Sequence, residues 1–270
     1  EASMGVGIDD LDADGDLDIL LTHLVVETHT LYRQRGPLLF DDVTDAAGLG
    51  GASRAHTGFG TVFVDLDGDG WRDLFVANGA VQSIASLATA GDPWPYHETN
   101  QVFRHPGAGF DGVPRFTEVG QQAGPVLDRS EISRGVAIGD LDQDGDRDLI
   151  VTQNGGPARI LASSAADDRA WIGLRVVDGQ RDALGAIVTL TTEGGVAGPR
   201  TRSARIATDG SYVSASDPRA AFVLGPGERP TGLRVRWPGS ASVEQFPPPP
   251  ASAYADIRRG DGTPLTDAPP

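Results

Sequence analysis

Twelve aspartates occupy matched positions in a nine-residue stretch that recurs three times: DLDADGDLD from Asp10 to Asp18, DLDGDGWRD from Asp65 to Asp73, and DLDQDGDRD from Asp140 to Asp148. Each copy has Asp at positions 1, 3, 5 and 9 and Gly at position 6. Carboxylates this close repel one another and ionise together only with a hard cation among them. Oxygen donors with no Cys or His at the repeated positions fit Ca2+ or Mg2+ and argue against Zn2+ or copper. The number of carboxylates favours calcium, because magnesium keeps its waters and needs only one or two. Gly at position 6 permits the turn that wraps positions 1, 3 and 5 around one centre. Position 7 varies because only its backbone carbonyl need point inward. The expected metal residues are Asp10, Asp12, Asp14, Asp16 and Asp18; Asp65, Asp67, Asp69, Trp71 and Asp73; and Asp140, Asp142, Asp144, Asp146 and Asp148, with up to three Ca2+. An EF-hand would carry Glu at position 12, where this chain has Leu21, Val76 and Val151.

The elements that position these loops are short strands. Ile19 to Leu21, Leu74 to Val76 and Leu149 to Val151 follow the loops, and Thr61 to Val64 and Val136 to Ile138 precede two of them, so each loop is the tip of a β-hairpin. Further stations recur in order: Leu31-Tyr32-Arg33, Phe40 to Val43 and Ala47-Gly48 after the first loop, and Val102-Phe103-Arg104, Phe116 to Val119 and Ala123-Gly124 after the second. The repeat is thus a unit of about four strands, with periods of 55 and 75 residues, which points to propeller blades. Most of the added length enters near Ser83 to Thr99, where Trp94, Tyr96 and His97 form an aromatic insert and a candidate ligand-binding site.

The formal charge of −16 lies entirely in residues 1 to 164, which hold 26 acids and 10 Arg; residues 165 to 270 hold 12 of each. So acidic a surface excludes nucleic acid as a partner, and no apolar run approaches the length that would insert in a membrane. The absence of Cys excludes a disulfide framework and a thiol nucleophile. No G-x-S-x-G, H-E-x-x-H, P-loop or dinucleotide pattern occurs, so the chain reads as a non-enzyme. Calcium loops of this type suit millimolar extracellular calcium, so an extracellular or cell-surface protein, secreted or periplasmic, is expected. The chain opens inside a repeat with Gly5-Val6-Gly7, from which upstream blades are expected.

Gly58 to Gly79 and Gly135 to Gly156 resemble FG-GAP/VCBS repeats, the blades of integrin α-chain propellers and of many bacterial surface proteins. The resemblance implies an all-β partial propeller of about three blades over residues 1–163, with a calcium ion at each hairpin loop. Closed rings of such blades contain about seven, so three are expected to leave unpaired edges. From Ala170 onward, period-two alternation over Ile172 to Val177, Ile187 to Thr192, Arg202 to Ile206, Ala221 to Leu224, Leu233 to Trp237 and Tyr254 to Arg258 predicts a small antiparallel β-sandwich or barrel over 169–262, with 263–270 a tail. Trp171 to Leu174, Arg181 to Ala186, Gly210 to Tyr212 with Ser214 to Arg219, and Leu233 to Pro238 resemble the ASPIC/UnbV domain, which follows such repeats in cartilage acidic protein and in bacterial exported proteins. The polar residues Arg181, Asp182, Ser216, Asp217 and Arg219 are expected to satisfy turns and salt bridges, the alternative being a ligand site.

The function these readings favour is a calcium-binding extracellular module that binds or adheres to a protein or glycan without catalysis. Its rivals are a carbohydrate-active enzyme, either a polysaccharide lyase or a hydrolase, and a structural spacer or assembly unit.

Overall fold

The computed structural model describes residues 1–107, 109, 111–195 and 198–265. Each acidic loop sits at the tip of a hairpin whose second strand starts at the position-9 aspartate. The first blade is a meander of β1 (Val6–Asp9), β2 (Asp18–Leu21), β3 (Thr30–Gln34) and β4 (Phe40–Asp42). The second comprises β5 (Gly58–Val64) and β6 (Asp73–Asn78), then, beyond β7 (Glu98–Thr99), β8 (Gln101–Arg104) and β9 (Thr117–Glu118). The insert between β6 and β8 holds one helical turn, Ala85–Thr89, and β7, which pairs with β10 (Ser130–Glu131) in a two-stranded ribbon. The third blade has β11 (Ser133–Gly139), β12 (Asp148–Gln153) and β13 (Arg159–Leu161). Register is the same in all three: Ile8↔Ile19↔Tyr32, Phe63↔Leu74↔Phe103 and Ile138↔Leu149↔Leu161.

The middle blade is buried on both faces, which is why β5 and β6 read as continuous apolar runs. Phe63, Leu74, Val76 and Phe103 pack toward the first blade with Leu20, Leu31, Leu49 and Phe116. Their alternates Val62, Val64, Phe75, Ala77 and Val102 pack toward the third with Val136, Leu149 and Val151. Neighbouring inner strands approach so closely at two glycines that a side chain there is excluded: a Cβ on Gly5, just before β1, would lie 1.9 Å from Phe59 O, and one on Gly60 would lie 2.6 Å from Val136 N.

The second domain is a sandwich. One sheet contains β14 (Trp171–Asp178), flanked by β15 (Arg181–Asp182) and β18 (Ala220–Val223), with β21 (Tyr254–Arg258) paired to β14 in parallel. The other runs β17 (Arg200–Arg205), β16 (Ile187–Gly194), β19 (Glu228–Arg236), β20 (Val243–Phe246) and β22 (Thr263–Leu265). Ile172, Leu174, Phe222 and Ile257 from the first face Val188, Leu190, Leu233, Val235 and Trp237 from the second. The parallel pair departs from an all-antiparallel expectation, because the chain crosses between sheets before β21. Of the expected tail 263–270, residues 263–265 form β22, and 266–270 lie outside the described residues.

The segment 208–217 of the second domain covers the inner edges of the blades. Ser211 exchanges two backbone hydrogen bonds with Val6 (3.2 and 2.6 Å), Asp217 N–H donates to Ile138 O at 2.9 Å, and Ser216 Oγ accepts the Ile138 N–H at 3.2 Å. Backbone groups that three blades alone would leave open are thereby satisfied within the chain. No helix among the described residues is long and apolar enough to cross a membrane.

At the seam between the first two blades His29 is 1% exposed; its Nδ1 accepts the His23 N–H at 3.2 Å, and its own N–H donates to Ser53 Oγ at 3.0 Å. Burial, with His23 and His56 nearby, holds its pKa down at about 3. An unfolded imidazole protonates near pH 6.5, so the unfolded state takes up the proton first, and stability falls as pH drops from about 6.5 toward 3. Thermal melts in calcium buffer are expected to show His29→Gln losing less stability than wild type between about pH 7.5 and 5. Equal losses would show that His29 does not carry this acid sensitivity.

Candidate metal centre

The three loops share one hydrogen-bond frame. The position-1 carboxylate accepts the position-6 Gly N–H: Gly15 to Asp10 at 3.1 Å, Gly70 to Asp65 at 2.9 Å and Gly145 to Asp140 at 3.1 Å. The position-5 carboxylate accepts the position-7 N–H at 2.9 Å in the first two loops and 3.2 Å in the third. Two residues per loop are left-handed. Position 6 is always Gly (φ 94, 93 and 99°), whereas position 4 is Ala13, Gly68 or Gln143 (φ 61, 70 and 65°). A non-glycine residue there is a strain that the loop frame has to hold.

Position 9 does structural work as well. Oδ2 of Asp18, Asp73 and Asp148 accepts the position-2 N–H at 3.1, 3.0 and 2.8 Å. Oδ1 of the same residues accepts an N–H at or just beyond the third strand of the blade: Gln34 at 3.0 Å, His105 at 2.8 Å and Ser163 at 3.0 Å. One buried carboxylate thus ties loop, second strand and third strand together.

Carboxylate oxygens of Asp10, Asp12 and Asp14, of Asp65, Asp67 and Asp73, and of Asp140, Asp142 and Asp148 lie within 4.8 Å of one another, so each cluster could hold a metal ion. Oδ1 of Asp10 and of Asp65 is buried with no hydrogen-bond partner among the described residues, as expected of an oxygen reserved for a cation. Burial, reinforced by neighbouring aspartates, pushes Asp10 and Asp65 up to about 6 and Asp18 and Asp73 up to about 7. A divalent cation would reverse that cost by stabilising the charged forms. The donor set and its unmet oxygens therefore fit a hard cation.

Two of the position-7 side chains make contacts outside their loops. The Trp71 ring packs edge-on against His105 at 5.5 Å, and Asp146 Oδ2 accepts the Ala166 N–H at 3.1 Å. Asp146 Oδ1 is buried with no hydrogen-bond partner among the described residues.

Sequence reasoning missed the partners of the loops. Arg33 and Arg104, at the same station of β3 and β8, bind Asp12 at 2.5 Å and Asp67 at 2.7 Å. The matching residue of the third blade is Ala162, so that loop has no arginine at this station and receives groups from the second domain. Tyr254 O–H donates to Asp140 Oδ2 at 2.7 Å, and Arg219 Nη2 donates to Asp140 O at 3.1 Å. In the second loop, Arg200 Nη2 donates to Asp69 O at 2.8 Å, and Arg169 Nη1 donates to Gly68 O at 3.0 Å. The recurrent aromatic-Arg pair was the one signal in the sequence that pointed to these contacts.

Trp94, Tyr96 and His97 converge with Glu131, Asn154 and Arg159 on a groove of about 770 Å3 beside the third blade. Trp94 is 66% exposed, and Asp92 Oδ1 holds its N–H at 2.8 Å. Glu131 is tied to Arg159 at 2.5 Å. Arg181, Asp182, Ser216, Asp217 and Arg219 do not form one site: Asp182 pairs with Arg175 at 2.8 Å, whereas Asp217 and Arg219 pair with each other against the blades.

Two family models match the chain, an FG-GAP-like repeat over residues 10–76 and ASPIC and UnbV over residues 177–264. Among curated proteins, none matches it. The repeat match covers the first two acidic loops and the strands from β2 to β6, and the second match covers the sandwich from the end of β14 onward. The chain is an FG-GAP repeat protein with a β-propeller-like blade array and a C-terminal ASPIC/UnbV domain.

Proposed function

We propose that this chain is a calcium-stabilised extracellular binding module, without catalysis of its own, that takes a glycan or protein partner in the groove beside the aromatic insert. The observation that supports calcium is the common loop frame, with its unmet oxygens on Asp10 and Asp65. Asp18, Asp73 and Asp148 use their oxygens to join strands, so each ion acts as a staple of its hairpin and stands apart from ligand handling. The groove supplies what a sugar ring uses: an exposed indole face and planar polar groups at its edge. Glu131 is neutralised by Arg159, which suits it to hydrogen bonding more than to proton transfer. Export is consistent with the millimolar calcium that such loops use.

Chelation is expected to lower the melting temperature, and added calcium to restore it. A site filled at a hundred times its Kd adds about 2.7 kcal/mol, or roughly 5–10 °C for a domain of this size. Asp73→Ala is expected to remove one ion from the stoichiometry measured by titration calorimetry and to lower the melt even in chelator, because two strand contacts are lost with it. A melt that EDTA leaves unchanged would overturn the calcium reading.

On a glycan and matrix-protein array with calcium, Trp94→Ala is expected to lose at least tenfold in affinity with an unchanged melt. Retained binding would remove the groove from the reading, and cleavage of a bound polysaccharide would replace the binding module with a lyase or hydrolase.

A further inference from the structure

Where β1, β5 and β11 converge on the second domain, they line a small, partly open cavity of about 110 Å3 whose polar lining comes from both sides. Asp9, Thr61, Arg72 and Arg147 face it from the blades, and Arg205 and Asp217 face it from the second domain. Arg72 and Arg147 are the position-8 residues of the second and third acidic loops, the one position that the metal frame leaves unassigned.

The charges around the cavity do not balance. Arg72 Nε meets Asp9 Oδ2 at 3.3 Å, Arg205 holds Asp209 at 2.8 and 3.1 Å, and Arg219 Nε holds Asp217 at 2.7 Å. These are three pairs, and Arg147 is left over. It makes no hydrogen bond among the described residues, and the closest carboxylate oxygen, on Asp217, is 3.9 Å away and already engaged by Arg219.

The unmet hydrogen-bond capacity has one sign as well. Arg147 Nη1, Arg205 Nε and the hydroxyl of Thr61, a residue 0% exposed, are all buried without partners among the described residues. Guanidinium N–H groups can only donate, and a hydroxyl can turn to donate, so the guest that satisfies all three is an acceptor. A buried guanidinium without a counter-charge is costly, and a neutral guest leaves that cost in place.

We propose that this cavity is a binding site for one small monovalent anion, a halide or a one- or two-carbon carboxylate, with Arg147 as its counter-charge. The volume admits such an ion with a few waters. Because its walls come from β1, β5, β11 and the segment that covers them, the anion would hold the second domain on the blades. The assignment does not depend on calcium in the loops or on a ligand in the groove.

The test uses the full chain with saturating calcium and constant ionic strength, with gluconate as the bulky reference anion. Chloride, formate and acetate are each expected to raise the melting temperature by several degrees along a single-site saturation curve. The order among them distinguishes a halide site from a carboxylate site. Arg147→Met is expected to abolish the dependence on the anion. Should that variant fail to fold, the chloride NMR line of the wild type provides the second measurement: the protein is expected to broaden it, and formate to restore a narrow line by competition. Equal melting in all four salts with no broadening would overturn the proposal and leave a cavity filled by water. Broadening that survives in folded Arg147→Met would overturn it too, by placing the anion elsewhere.

Discussion

Crowding of carboxylates is the constraint on which this structure depends. Each loop brings oxygens from three aspartates within 4.8 Å and buries part of them, an arrangement that costs free energy twice, through repulsion and through desolvation. The fold offsets this with directed hydrogen bonds. Backbone N–H groups of positions 2, 6 and 7 point at carboxylates, and a further N–H reaches position 9 from beyond the third strand. The loop frame is thus in place from the chain's own groups, and a cation would add the remaining charge compensation.

The three loops are alike in frame and unlike in surroundings. Arginines from within the blade, Arg33 and Arg104, pair with one aspartate in each of the first two. The third has Ala162 at that station and leans on Tyr254 and Arg219 of the ASPIC/UnbV domain. Burial raises the Tyr254 pKa and keeps its hydroxyl a donor to Asp140. Repeats that look equivalent in sequence therefore occupy different electrostatic settings. The two domains share loop contacts, covered strand edges and a buried polar cavity, so their stabilities are expected to be linked.

Arg259-Gly260-Asp261 forms the turn between β21 and β22. The turn is exposed, yet Arg259 is paired with Asp178 at 2.8 Å, and the Gly260 and Gly262 N–H groups are held by buried Glu244 at 3.0 and 3.2 Å. Its geometry is accounted for by the closure of the sandwich. The groove at Trp94 differs, because its aromatic face is left exposed and nothing in the packing of the blades requires it there.

What the sequence determined by itself was whatever is encoded within about ten residues. The nine-residue loops, the apolar strands that flank them and the recurrent order of stations were legible because turn chemistry and period-two burial are local. Most strands of the sandwich were legible for the same reason. β20 was not, because Glu244 faces inward beside Phe246, and an inward acid hides the alternation; its partners at Gly260 and Gly262 lie 16 and 18 residues on. The tertiary structure alone decided the parallel placement of β21, the covering of inner edges by 208–217, the pairing of Tyr254 with Asp140 across 114 residues and of Arg200 with Asp69 across 131, and the isolation of Arg147. Such contacts depend on the path of the chain between their ends. Spacing along the sequence carries no record of that path, so the metal frame could be read before the fold was known, and the partners of that frame could not.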